Sequence, residues 1–137
     1  MKLLLVDDNE VDMKEFRDLL EINEHEVVHV HNTQELKDVL AKSSKFDGII
    51  LDLMFPLEDD IPDEESEYGY RIGLLLYNRY LKETYPDVPF VILTAMDHKI
   101  QIHLQILKNL VQFDSFKGIF QKPVDLNELI KALSNID

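Results

Sequence analysis

The chain has 137 residues, 45% of them apolar, which is enough for one domain with a real core and too much for a disordered segment. It contains no cysteine, which excludes disulfides and thiolate metal sites. Its 27 acidic and 14 basic residues give a net charge of −13, a surface that repels phosphate backbones, so no direct nucleic-acid binding is expected.

The first apolar run, Lys2 to Val6, reads as a buried strand. It is far too short for a signal peptide or a membrane span, so a cytoplasmic protein without membrane contact is expected. Met13, Phe16, Leu19 and Leu20 then recur at helical spacing. A second strand is expected over Glu26 to His31. Thr33 can cap a helix running to about Lys42, with Leu36, Val39 and Leu40 turned inward. Gly48 to Leu53 reads as the third strand.

The stretch from about 57 to 68 carries seven acidic residues and no Lys or Arg, about half of the charge imbalance. It reads either as a solvated surface loop or as a docking site for a basic partner surface. Pro89 to Thr94 is the fourth candidate strand. Asp97 to Phe113 reads as a helix with two apolar stripes, one through Ile100, Leu104, Leu107 and Val111, the other through Ile102, Ile106, Leu110 and Phe113. A helix on a sheet buries one stripe. Ile102, Ile106 and Leu110 are therefore expected to contact a second protein chain, most simply another copy. Gly118 to Gln121 is the fifth strand. Asp125 and Glu128 resemble a capping box before the stripe of Leu126, Leu129, Ile130 and Leu133.

Five strand–helix alternations imply an α/β fold, a doubly wound parallel sheet covered on both faces. Ligands of such sheets bind beyond the carboxyl ends of the strands. The residues there are Asp7 and Asp8 after the first strand, Asp52 at the end of the third, Thr94 ending the fourth, and Lys122-Pro123 after the fifth. Three carboxylates in one half-buried pocket repel strongly, and a divalent cation removes that problem. Mg²⁺ takes oxygen ligands and leaves room for water and phosphate. A carboxylate can also attack a phosphoryl group, and an ammonium, a hydroxyl and a metal ion can stabilise the charge in transfer.

His25-Glu26-Val27-Val28-His29 matches the H-E-x-x-H zinc motif in letters only. The motif needs a helix, and the valines favour a strand, in which the two histidines stand ~13 Å apart. His29 and His31 share a strand face and are expected to be a solvent-facing pair.

The strings Leu5-Val6-Asp7-Asp8-Asn9-Glu10, Leu51-Asp52-Leu53-Met54-Phe55-Pro56, Leu93-Thr94-Ala95 and Lys122-Pro123, in this order, resemble the receiver domain of two-component response regulators over nearly the whole chain. The resemblance implies one receiver domain over 1–137 with an acidic insertion near 57–68 and no output domain. It also implies a flavodoxin-like five-stranded sheet in the order 2-1-3-4-5. Asp52 would be the phospho-acceptor. Asp8 and Asp52 would bind Mg²⁺ (or Mn²⁺) directly, Asp7 through water, and Met54 through its backbone carbonyl. Lys122 would pair with the phosphoryl group, Thr94 would move toward it, and the Lys122–Pro123 bond would be cis. The implied partners are a histidine kinase or histidine phosphotransfer protein, a downstream effector protein and, on phosphorylation, a homodimer. The implied role is regulatory, with catalysis limited to the domain's own phosphorylation and dephosphorylation.

Two further features depart from the family pattern. The switch aromatic three residues before the lysine is replaced by Ile119, with Phe120 beside it, so both are candidate switch residues. Met54 and Met96 stand where polar groups can assist water, and thioethers cannot, so a slowly hydrolysed phosphate is expected. Other readings are a degenerate receiver acting only as an interaction module and, more remotely, a metal-dependent hydrolase. A haloacid-dehalogenase-like phosphatase needs a second Asp two residues after the nucleophile, where this chain has Met54.

Overall fold

Each of the apolar runs that period and composition single out becomes a strand of one parallel sheet. The structure is a computed structural model and describes residues 1–7, 10–42, 44–52, 77–94, 114–121 and 124–134. Numbered among these, the elements are β1 (Lys2–Val6), α1 (Glu10–Ile22), β2 (Glu26–Val30), α2 (Thr33–Ala41), β3 (Gly48–Asp52), α3, β4 (Phe90–Thr94), β5 (Phe116–Gln121) and α4 (Leu126–Ser134). Helix α3 opens with a π-helical turn, Tyr77–Leu81, and continues as Lys82–Thr84. The sheet order is β2-β1-β3-β4-β5 with every pair parallel, the doubly wound, flavodoxin-like order.

Residues Leu3 to Val6, Ile49 to Leu51 and Phe90 to Leu93 are buried on both sides of the sheet, as a central parallel strand requires. Strand alternation splits them into two layers. Leu4, Val6, Ile49, Leu51, Phe90 and Ile92 pack with Leu36 of α2 and Tyr77 and Leu81 of α3. Leu3, Leu5, Ile50, Val91 and Leu93 pack with Met13 and Leu20 of α1 and Leu129 and Leu133 of α4. Tyr77 stacks on Phe90 at 4.0 Å between ring centroids, which ties α3 to β4.

Several local expectations are corrected. Leu19 is 43% exposed and so lies off the buried stripe of Met13 and Leu20. The cap of α2 is Asn32, not Thr33: its backbone is extended and its Oδ1 accepts the Glu35 N–H at 2.8 Å. Thr33 is the first helical residue, and it is buried. Asp125 does cap α4, accepting the Asn127 N–H at 2.9 Å through Oδ1. Helix α1 ends in a paired-bond motif, with Glu24 N–H donating to the Glu21 carbonyl and His25 N–H to the Leu20 carbonyl. Glu24 occupies the left-handed position at φ 69° that glycine usually fills.

Strand β5 begins two residues earlier than its sequence pattern implies. Gly118 sits at φ 134°, and the β4–β5 register jumps from Phe90↔Phe116 to Ile92↔Ile119. Strand β5 therefore carries one extra residue, a bulge. Because side chains alternate, that residue reverses which face each later side chain of β5 meets.

Candidate functional site: the carboxyl edge of the sheet

The register aligns the expected acidic residues. Val6 pairs with Leu51, so Asp7 and Asp52 are the next residues on two neighbouring strands. Asp7 is fully buried and Asp52 is 5% exposed. Alternation puts both on the side of the sheet that carries α1 and α4. Two buried carboxylates side by side repel, and removing both from water adds a desolvation penalty, so the site favours an added cation. Carboxylate oxygens suit a hard divalent ion. Among the described residues no group of three His, Cys, Asp or Glu converges on a metal position. The third expected carboxylate, Asp8, lies outside them.

The edge continues in register toward β5. Asp52 pairs with Leu93, Thr94 follows, and Thr94 pairs with Gln121, the residue before Lys122. Thus Asp7, Asp52, Thr94 and Gln121 line one end of four adjacent strands.

A polar cluster flanks Asp7. Its N–H donates to the Val30 carbonyl at 3.1 Å, and its own carbonyl lies 2.8 Å from Nε2 of His29. Nδ1 of the same ring lies 3.2 Å from Nη1 of Arg17 on α1. The His31 ring stacks on His29 at 4.0 Å, and Glu35 Oε1 accepts from the His31 N–H at 2.8 Å and contacts its Nδ1 at 2.9 Å. Burial pushes the His29 pKa down, partly opposed by the bond to the Asp7 carbonyl. The His31 backbone N–H, chiefly, holds the Glu35 carboxyl below its ordinary range. The two histidines are therefore a half-buried polar cluster and not the solvent-facing pair that the sequence pattern implies. His25 and His29 lie before and within β2, so the zinc-motif letters fall on a strand, as expected. Sequence reasoning missed the roles of His29 and Arg17. The available signal was the position of His29 near the carboxyl end of β2, next to the strand that delivers Asp7.

No family model matches the chain. Among curated proteins, the polar-differentiation response regulator DivK of Brucella anthropi is 39% identical over 54 residues, 39% of this chain and 43% of that protein. Response regulator MprA of Mycobacterium avium is 31% identical over 97 residues, 71% of this chain and 36% of that protein. The matched stretches span less than half the length of either relative. A Burkholderia pseudomallei response regulator, solved with a phosphorylated aspartic acid, a calcium ion and citrate, superposes with a TM-score of 0.69 at 25% identity, covering 98% of this chain and 66% of that one. The chain is a receiver domain of the response-regulator family. The BeF3-activated N-terminal receiver domain of Klebsiella pneumoniae RstA, at 23% identity and a TM-score of 0.67, covers 98% of this chain and is itself covered completely, which supports the fold.

Receiver domains are regulatory modules of phosphorelay signalling. In this receiver, Asp7, Asp52, Thr94, Ile119 and Phe120 fall among the described residues, while Asp8, Met54, Lys122, Pro123 and Met96 lie outside them. So do the 57–68 insertion and the expected 97–113 helix with Ile102, Ile106 and Leu110. The two candidate switch residues lie on opposite faces of the sheet. Ile119 packs against the layer of α2 and α3, and Phe120 against the layer of α1 and α4. Adjacent residues of a strand alternate faces, and the bulge at Gly118 decides which layer each of the two meets. Among the described residues, no helix of the receiver is long and apolar enough to cross a membrane.

Proposed function

We propose that this receiver is a metal-dependent phospho-accepting switch, that Asp52 is its acceptor, and that a partner protein reads the modified form. The observation that carries the reading is the burial of Asp52 at the end of β3, in register beside buried Asp7. The phosphorylated aspartic acid and calcium ion of the Burkholderia relative support it.

Asp7, Asp8 and Asp52, with the Met54 carbonyl, would hold Mg²⁺ or Mn²⁺. When bound, the ion neutralises the carboxylates and the phosphoryl oxygens. A carboxylate oxygen of Asp52 attacks the phosphorus of a phosphohistidine on a histidine kinase or histidine phosphotransfer protein. The new P–O bond forms as the P–N bond breaks, and the leaving imidazole takes up a proton. Lys122 pairs its ammonium with a phosphoryl oxygen, and Thr94, at the end of β4, carries the change toward the β5 edge. With Ile119 in place of a hydrogen-bonding aromatic, the response is transmitted by packing. The surface of Ile102, Ile106 and Leu110 then engages an effector or a second copy of the chain. Residues 1–137 act as one receiver unit, with the acidic insertion as a surface feature, in the cytoplasm.

The test is incubation with acetyl phosphate. One phosphoryl group should be gained with Mg²⁺ present and none with EDTA. Equal labelling in both conditions would remove the metal from the proposal.

A further inference from the structure

We propose that His29 is a positioning residue for the acidic pair Asp7 and Asp8, holding the peptide unit between them through the Asp7 carbonyl. This rests on the reading of the site as a divalent-cation pocket. Pairing of β1 with β2 ends at Val6↔Val30, and Asp7 beyond it still donates its N–H to the Val30 carbonyl. Its carbonyl is held at 2.8 Å by the imidazole of His29, a side chain of β2.

The donor logic fixes the tautomer. A guanidinium has donors only, so Nδ1 of His29, 3.2 Å from Arg17 Nη1, is the acceptor. The ring proton therefore sits on Nε2 and points at the Asp7 carbonyl. The ring is also held in place. It stacks on His31, which Glu35 anchors through both its backbone N–H and its Nδ1. The run from Arg17 through His29 to Asp7 thus links α1, β2 and the acidic edge.

The held carbonyl belongs to the peptide unit shared by Asp7 and Asp8. That unit is planar, so fixing its oxygen fixes the direction in which the chain leaves Asp7. The carboxylates on either side of it are the pair expected to share the cation. Groups that orient metal ligands from one bond further out typically change metal affinity by about 10–100-fold when removed.

The experiment titrates Mn²⁺ into the full chain and follows free Mn²⁺ by electron paramagnetic resonance. It compares the unmodified protein with His29→Leu, His29→Gln and Asp52→Asn, and takes thermal midpoints in EDTA as a control on folding. His29→Leu should bind about tenfold more weakly. His29→Gln should stay within about threefold, because its amide nitrogen donates from nearly the place of Nε2. Affinity within twofold of the unmodified protein for His29→Leu, or equal losses in the Leu and Gln variants, would overturn the positioning role alone. No Mn²⁺ binding by the unmodified chain, or none of it sensitive to Asp52→Asn, would overturn the cation pocket and this role with it. Imidazole ¹⁵N resonances of the unmodified protein supply a readout that needs no variant. They should show the Nε2–H tautomer, with the Nε2 signal moved by the ion; the Nδ1–H tautomer would overturn the proposal.

Discussion

Gly48→Ala wedges a methyl group into the start of the strand that ends at Asp52. A Cβ at Gly48 would lie 3.0 Å from Leu3 Cδ2 and 3.3 Å from both Cδ atoms of Leu133. Both leucines are buried in the α1–α4 layer, so neither has open space to retreat into. Overpacking of this kind costs about 1–3 kcal/mol, while replacing a strand glycine returns about 0.5–1 kcal/mol of backbone entropy. The net loss is about 0–2.5 kcal/mol, centred on about 1 kcal/mol. For a chain of 137 residues, each 1 kcal/mol lowers the melting temperature by about 3–4 °C, so a fall of about 4 °C, and of no more than about 10 °C, is expected by calorimetry. Leu133→Ala alone should cost about 2–5 kcal/mol by leaving a cavity against β3. In the double variant the new methyl occupies part of that cavity, so the two losses should fall short of additivity by at least about 0.5 kcal/mol. Additivity within about 0.3 kcal/mol, or a Gly48→Ala protein more stable than the original, would refute the close packing of α4 on β3.

Glu24→Gly should stabilise the domain by about 0.5–1 kcal/mol, because the left-handed position after α1 strains a residue with a Cβ; a lower melting temperature would contradict this. Glu35→Gln should lower stability at neutral pH. The contribution of Glu35 is fully present above its unfolded value near 4.5 and is lost as pH falls through its depressed folded value, so the two proteins' urea midpoints should converge in acid. Met54→Asn combined with Met96→Glu should shorten the lifetime of the phosphorylated form, measured by its decay after donor removal, because polar groups then assist water; an unchanged or longer lifetime would contradict the role of the thioethers.

The strands were legible because Leu3 to Val6, Gly48 to Leu51 and Phe90 to Leu93 are runs that only a doubly covered parallel sheet can bury. The alignment of Asp7, Asp52 and Thr94 followed from where those runs stop. Other features depend on tertiary contacts that composition does not encode. Asn32 and Thr33 can both cap a helix, and only the extended backbone at Asn32 decides between them. The pattern read Gly118 as the first residue of β5, whereas it is the bulge inside a longer strand, and that one extra residue decides which face of the sheet Ile119 and Phe120 each meet. Helix α3 was not singled out, although Tyr77, Leu81 and Tyr85, all buried in the structure, recur at four-residue spacing. His29 and His31 share a strand face and read as solvent-facing, but contacts from outside the strand, Arg17 of α1 at 3.2 Å from Nδ1 of His29 among them, are not encoded in that alternation.

Peptide mapping of the acetyl-phosphate-treated protein, after borohydride reduction of the acyl phosphate, locates the modified residue. The reduced residue, a homoserine left when the phosphate departs, should map to position 52 alone, and Asp52→Asn should abolish it while the fold persists. Full labelling of Asp52→Asn, or modification mapped to another carboxylate in the unmodified chain, would contradict the assignment of this receiver's acceptor.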